Sequence, residues 1–221
     1  MFHVKQGSER LRPDLAAGLE LLGLSAGPQA QDQLLGHLEL LERWNGHYNL
    51  VGPGSPLSWL RRHTLDSLAI SRWVPEGGAV VDVGSGGGFP GLPIAVLYPK
   101  VSVTLVEPRA NRAAFLQNAV AQLGVKNATV ARRSAGAISE RYGLVAGRAV
   151  AEPEVWGTLA RPLCADGGGF VLFANEPPAR LLAGVEQVDA ASYWIPGEIE
   201  RWVALYVPRG TSLLDGSAPG V

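Results

Sequence analysis

Residues 79–91 confine this chain to few folds. Ala79-Val80-Val81-Asp82-Val83 is a short apolar run with one carboxylate, and Gly84-Ser85-Gly86-Gly87-Gly88-Phe89-Pro90-Gly91 follows at once. A run of that length ending in glycines marks a strand buried on both faces, as in parallel sheets covered by helices. The downstream texture repeats the unit. Residues 101–106 predict a second strand, 109–123 a helix, 128–132 a third strand and 144–150 a fourth. A helix near 154–163, a fifth strand at 169–173 and a terminal strand or hairpin at 194–207 follow. Strand and helix alternate, so the expected class is α/β: a mostly parallel, doubly wound, Rossmann-like sheet with right-handed crossovers.

The first third reads as helical. Leu34, Leu38, Leu41, Trp44 and Tyr48 recur at spacings of 4, 3, 3 and 4, one apolar stripe of a helix. Base stacking is the other use open to Trp44 and Tyr48. A helix from Pro13 to Gly23 precedes it, and after the break Val51-Gly52-Pro53-Gly54-Ser55-Pro56 helical spacing resumes over 57–74. The expected organisation is a helical extension at 1–75, an α/β domain at 76–209 and a flexible tail at 210–221, small and polar with Gly and Pro.

Glu107 closes the second predicted strand, 23 residues beyond Gly84. A carboxylate there accepts hydrogen bonds from ribose hydroxyls, in dinucleotide and adenosyl-sulfonium sites alike. The loop separates the two. Counted from Gly84, the third glycine of a GxGxxG fingerprint falls on Phe89; counted from Gly86, it falls on Gly91 with Pro90 inside. Asp82, directly before the loop, repels a pyrophosphate and suits the amino group of a methionine moiety. These residues favour S-adenosyl-L-methionine over NAD, with Asp82, Gly84, Gly86 and Glu107 as contacts. A purely structural glycine turn is the reading that needs no ligand.

Composition narrows the rest. With 47% hydrophobic and 18% charged residues over 221 positions, the chain can bury a core. The single cysteine, Cys164, forms no internal disulfide, which points to a reducing, cytoplasmic setting. His3, His37, His47 and His63 are scattered, so no metal is expected. No apolar run spans a bilayer and the start lacks a signal-peptide core, so no membrane partner is expected. At a net charge of −1, any nucleic-acid site must be a local basic patch. Arg61, Arg62, Arg109, Arg112, Arg132 and Arg133 are its candidates, with Lys5, Arg10 and Arg12. The chain is expected to be a monomer.

Several motifs carry a resemblance. Trp44-Asn45, then Tyr48-Asn49-Leu50; Arg62-His63, then Leu65-Asp66-Ser67; the loop Asp82 to Pro93; Asn111-Arg112-Ala113-Ala114-Phe115-Leu116; and Arg148-Ala149 follow in order. Over residues 30–175 the chain resembles the bacterial small-subunit (16S) ribosomal RNA guanine-N7 methyltransferases, the glucose-inhibited division protein B family. That resemblance implies a class I S-adenosylmethionine-dependent methyltransferase fold and the 16S RNA, or the small ribosomal subunit, as partner. It places cofactor contacts on Gly84, Phe89, Ser134, Ala135 and Arg148. The chain departs from the pattern at Ser134-Ala135, where the family often has Ala-Glu, at Gly147, at Ala174-Asn175 and at Trp202-Val203.

Purine N7 carries an in-plane lone pair and no proton, so its methylation needs no general base. Proximity and alignment suffice, in keeping with the absence of a Ser-His-Asp or paired-carboxylate constellation. Arg148, where the fourth strand ends, is the candidate catalytic residue, positioning cofactor or guanine; an ion pair at a strand end is its other reading. Arg62, His63, Arg109 and Arg112 are the candidate RNA contacts. Arg62 and Asp66 stand one helical turn apart and can pair, or His63 and Asp66 can brace their helix against the loop. Two further functions stay open: methylation of a small molecule or a protein, and a non-catalytic RNA- or ribosome-binding module on the same fold.

Overall fold

Five parallel strands carry the molecule: β1 (Ala79–Val83), β2 (Ser102–Val106), β3 (Ala128–Ala131), β4 (Tyr142–Ala146) and β5 (Cys164–Ala174). A hairpin, β6 (Val185–Tyr193) and β7 (Arg201–Pro208), adds to β5 antiparallel through β7, giving the order β3-β2-β1-β4-β5-β7-β6. The structure, a computed structural model, describes residues 6–178, 184–195, 197–198 and 200–210. The Rossmann-like α/β expectation holds. The order reverses at β1, and the crevice at a switch point beyond the strands' carboxyl ends is where such sheets bind ligands.

Alternation along β1 sorts the two cores. Val80 faces one layer, and Val81 and Val83 the other, with Val106, Val145, Trp156 and Phe170. The first layer holds the N-terminal helices: α1 (Arg12–Leu21) and α2 (Pro28–Tyr48), then a broken segment of an α-turn at Pro56–Trp59, a π-helical stretch at Leu60–Leu65 and an α-turn at Asp66–Leu68. Leu15, Leu34, Leu38, Leu41, Leu60 and Leu65 are all buried in the same cluster as Leu92, Leu105 and Phe115. Each contributes on the order of 1.5–3 kcal/mol of burial free energy. The α-helices that follow β1 are α3 (Gly91–Leu97), α4 (Ala110–Leu123) and α5 (Pro153–Ala160).

Several boundaries differ from expectation. β4 ends at Ala146 rather than 150, which puts Arg148 in the loop after it. β5 starts at Cys164; its Gly167-Gly168-Gly169 run hides the strand from a pattern search. The hairpin begins at Val185 instead of 194, and Trp194, 54% exposed, lies in the connection. β6 pairs only with β7 and reads as small and acidic residues, the composition of a tolerated edge strand. The stripe of α2 is core through Leu41, then frays: Trp44 is half-buried edge-on to Phe115, and Tyr48 is 41% exposed. Cys164 is buried, and burial pushes its thiol up to about 12. The expected tail, beyond Gly210, lies outside the described residues, as does Lys5. Among the described residues no helix is long and apolar enough to cross a membrane, and no group of His, Cys, Asp or Glu could hold a metal.

Candidate active site

The chain leaves β1 through a loop anchored to β2. The amides of Gly84 and Ser85 both donate to the Val106 carbonyl, at 2.8 and 3.0 Å. Asp82 points beneath the loop, where its Oδ2 accepts from the Gly91 amide at 2.9 Å, an otherwise orphaned donor at the start of α3. A Cβ at Gly91 would lie 2.3 Å from Leu105 Cδ2 and 2.8 Å from Asp82 Oδ2, so only glycine lets this helix begin so close to β1. Asp82 is fully buried and its Oδ1 has no partner. Burial pushes the carboxyl up to about 7, with the Gly91 amide pulling the other way. A buried acceptor without a donor fits a ligand cation.

Glu107, 3% exposed, is brought to the same loop. Its Oε2 accepts from the Gly86 amide at 3.0 Å and its Oε1 from the Arg109 amide at 2.9 Å. Each oxygen keeps a further lone pair, so the carboxylate can still accept from ribose hydroxyls.

His37 escaped the sequence reading. It is buried on α2, its ring 4.8 Å from Phe89, and its Nε2 donates to the Gly87 carbonyl at 2.8 Å. Burial pushes its pKa down to about 4, so the ring is neutral. The signal was available: position 37 sits three after Leu34 and four before Leu41, a polar residue on an apolar stripe. Gly88 completes the clamp. Its φ is +92°, and a Cβ there would sit 2.6 Å from Leu92 Cδ1 and 3.1 Å from His37 Nε2. Gly88→Ala is expected to destabilise the protein by about 1–3 kcal/mol, measurable by urea unfolding; unchanged stability would show the loop free to readjust.

A second cluster faces the loop from the broken helical segment. Asp66, fully buried, pairs with Arg148 Nε at 3.0 Å and Arg201 Nε at 3.5 Å, and accepts from the Tyr193 hydroxyl at 2.5 Å. The Arg148 contact is charge to charge and off the N–H axis, since Asp66 Oδ2 has no aligned hydrogen bond. Arg148 Nη1 also meets His63 Nδ1 at 2.9 Å, and the His63 ring lies 5.1 Å from that of Phe89. The Arg62–Asp66 pairing is therefore corrected: Asp66 turns inward to Arg148 and Arg201, while Arg62, 56% exposed, pairs outward with Glu198. The π-helical stretch under Arg62 and His63 changes the angular step that an α-helix would impose. Tyr193 and Arg201, on the terminal hairpin, are further residues the sequence reading missed.

The other expected residues gather less tightly. Ser134 and Ala135 follow β3 at the same sheet edge, Ser134 exposed and Ala135 opening a 3-10 turn, with no described bond to the loop. Arg112 Nη2 donates to the Asn49 carbonyl at 2.9 Å, beside Gly86, and Asn45 Oδ1 accepts from the Val51 amide. The expected basic patch is smaller than its residue list. Arg12 pairs with Glu9 and Asp32, Arg61 with Asp14, and Arg133 with Glu140. Arg109, Arg112 and Arg132 have no carboxylate partner among the described residues.

Known proteins bear on this arrangement. The family described as rRNA small subunit methyltransferase G matches residues 30–187. "Ribosomal RNA small subunit methyltransferase G" of Stenotrophomonas maltophilia is 39% identical, covering 83% of this chain and 88% of its own. That of Cupriavidus metallidurans is 36% identical, covering 94% and 92%. Among solved structures, M. jannaschii TYW2 in complex with AdoMet superposes with a TM-score of 0.53 at 16% identity, covering 65% of this chain and 74% of that one. An MtNAS variant in complex with S-adenosylmethionine gives 0.55 at 15%, covering 92% and 93%; likenesses this distant speak to the fold alone. The chain belongs to the rRNA small subunit methyltransferase G family, and the expectation of an S-adenosylmethionine-dependent methyltransferase is borne out.

Proposed function

We propose that this protein transfers a methyl group from S-adenosylmethionine to N7 of a guanine in small-subunit ribosomal RNA, working in the cytoplasm as a monomer. The observation that carries this reading is the pairing, around one loop, of a buried unpartnered Asp82 oxygen with the Glu107 carboxylate. In this reading Asp82 takes the amino group of the methionine moiety, Glu107 the ribose, and Gly84, Gly86 and Phe89 line the cofactor. Ser134 and Ala135 frame the adenine. Residues 1–75 form the helical extension and 76–209 the methyltransferase domain.

When bound, the sulfonium supplies an electrophilic methyl: the C–S bond breaks as N7–C forms, the electron pair stays on sulfur, and positive charge passes to the purine. No proton moves, so the chain's own residues only align and shield. Arg148, fixed by Asp66, is the catalytic candidate at this crevice. Arg62, His63, Arg109 and Arg112 are the RNA contacts. In an A-form helix the base edge is out of reach, so the guanine must come from a loop or be flipped out.

Incubation of the protein with methyl-labelled cofactor and small subunits lacking the modification tests the reading. Label recovered as 7-methylguanine is expected. Label elsewhere, or cofactor bound without transfer, would replace this reading by another methyl acceptor or by a non-catalytic binding module. Glu107→Ala is expected to weaken cofactor binding by about 1–3 kcal/mol, read by titration calorimetry. Equal affinity would remove Glu107 from the site.

A further inference from the structure

His63 has more chemistry than an RNA contact requires. Arg148 Nη1, a donor that can never accept, stands 2.9 Å from His63 Nδ1. Nδ1 must therefore be the bare acceptor, and the imidazole proton sits on Nε2. The position is over-determined. Asp66 fixes Arg148 through Nε, and the Ser67 hydroxyl donates to the His63 carbonyl in the π-helical stretch. The ring faces Phe89, a residue of the glycine loop. The cations around it are Arg148, Arg201 and Arg62, with the neutral His37 ring also nearby and Asp66 behind Arg148. Burial and these cations hold its pKa down at about 3, so the ring stays a neutral, single N–H donor at any physiological pH. Nε2 has no partner among the described residues and is not sealed from solvent.

We propose that His63, held by Arg148 as the Nε2–H form, donates to O6 of the target guanine and so selects guanine over adenine at the methyl-transfer site. This rests on the guanine-N7 reading. The argument turns on what N7 methylation forbids. Arginine meets the guanine Hoogsteen edge with two donors, one on O6 and one on N7. A donor on N7 would occupy the lone pair that must attack the methyl. Arg148 is held by the Asp66 charge and turns one Nη1–H to His63, so one of its prongs points at the imidazole and away from a base. A lone N–H directed at O6 grips the base and leaves N7 bare. Its neutrality matters as well, because an imidazolium would stand close to a cationic methyl donor. Adenine carries an amino group at that position, and two donors would face each other with neither bond made.

The test is a cycle between enzyme and base, run on the full chain after the methylated guanine has been mapped. RNA or reconstituted small subunits would carry guanosine, inosine or 2-aminopurine at that position. Inosine keeps O6 and loses only the 2-amino group; 2-aminopurine keeps N7 and replaces O6 by hydrogen. With wild type, inosine is expected to react within a few-fold of guanosine, and 2-aminopurine at least about tenfold more slowly in kcat/KM. In His63→Phe, which keeps a ring on Phe89, guanosine should lose about the same factor and the distinction between inosine and 2-aminopurine should vanish. His63→Gln, whose amide accepts and donates at similar places, should restore most of both. Cofactor Kd should stay within about twofold in each variant. A 2-aminopurine penalty of undiminished size in His63→Phe would overturn the inference alone. So would a wild-type enzyme indifferent to the loss of O6, a result that needs no variant to fold. Failure of the wild type to produce 7-methylguanine in RNA would overturn the parent reading and this inference together.

Discussion

Asp66→Ala is expected to lower stability by about 3–5 kcal/mol and to abolish methyl transfer. Asp66 is fully buried on the segment after the π-helical stretch, and three groups from elsewhere in the chain converge on it: Arg148 from the loop after β4, and Tyr193 and Arg201 from the terminal hairpin. Without it, two guanidiniums that are only 16% and 22% exposed face one another with no counter-charge. Burial already disfavours the charged Arg148, and the Asp66 carboxylate is the main group offsetting that. Removing one partner leaves the penalty and takes away the compensation. The contrast is Arg62→Ala: the arginine is 56% exposed although its partner Glu198 is only 12% exposed, and a pair open to water on one side contributes about 1 kcal/mol. Asp66→Asn should fall between, since its amide oxygen can still accept from the Tyr193 hydroxyl. Urea unfolding of the three variants, with transfer to small subunits as the activity readout, checks the ranking. Asp66→Ala within about 1 kcal/mol of wild type would show that the cluster rearranges and does not hold the site.

The same cluster marks where the sequence stops being legible. The alternating strands and helices, the switch point and the glycine loop all follow from local pattern, and so does the Glu107 carboxylate at the end of β2. Those features arise from residues close in the chain. Asp66 meets Tyr193 across 127 positions, and no periodicity reports a partner at that distance. Helical geometry made Arg62 the natural partner of Asp66, yet burial decided otherwise: the long exposed side chain reached Glu198 and the inward carboxylate took the inward arginines. The hairpin was misplaced for a related reason. An edge strand such as β6, with one paired side and mixed small and acidic residues, lacks the apolar run that announced β1. His37 differs, because its place on the stripe of α2 was visible and only its meaning was not. Charge counting overstated the basic patch because several of its arginines are matched by carboxylates distant in sequence.

Cofactor affinity should fall about fiftyfold between pH 7 and pH 5, a range in which the ligand's amino group stays protonated, and the change should trace to Asp82. The carboxyl is pushed up to about 7 by burial, with the nearby Glu107 charge adding to it and the Gly91 amide and Ser85 hydroxyl opposing it. An ammonium group pairs with the ionised form only. Binding therefore scales with the ionised fraction, which near pH 5 is about one hundredth for a pKa of about 7. The ligand-free protein should behave in the opposite sense. A carboxyl that keeps its proton to higher pH when folded than when unfolded makes the folded state the better proton holder. Ligand-free stability is then greatest below the ordinary aspartate pKa of 3.8 and declines as pH rises from there to about 7. Loading with cofactor should remove that decline, because the ammonium compensates the ionised carboxylate. Thermal unfolding from pH 5 to 7, with and without S-adenosylmethionine, would show the two curves diverging as pH rises. Asp82→Asn should bind weakly with little pH dependence and show no such divergence. A wild-type Kd constant across this range would mean that Asp82 does not meet the ammonium group, and its free oxygen would need a different occupant.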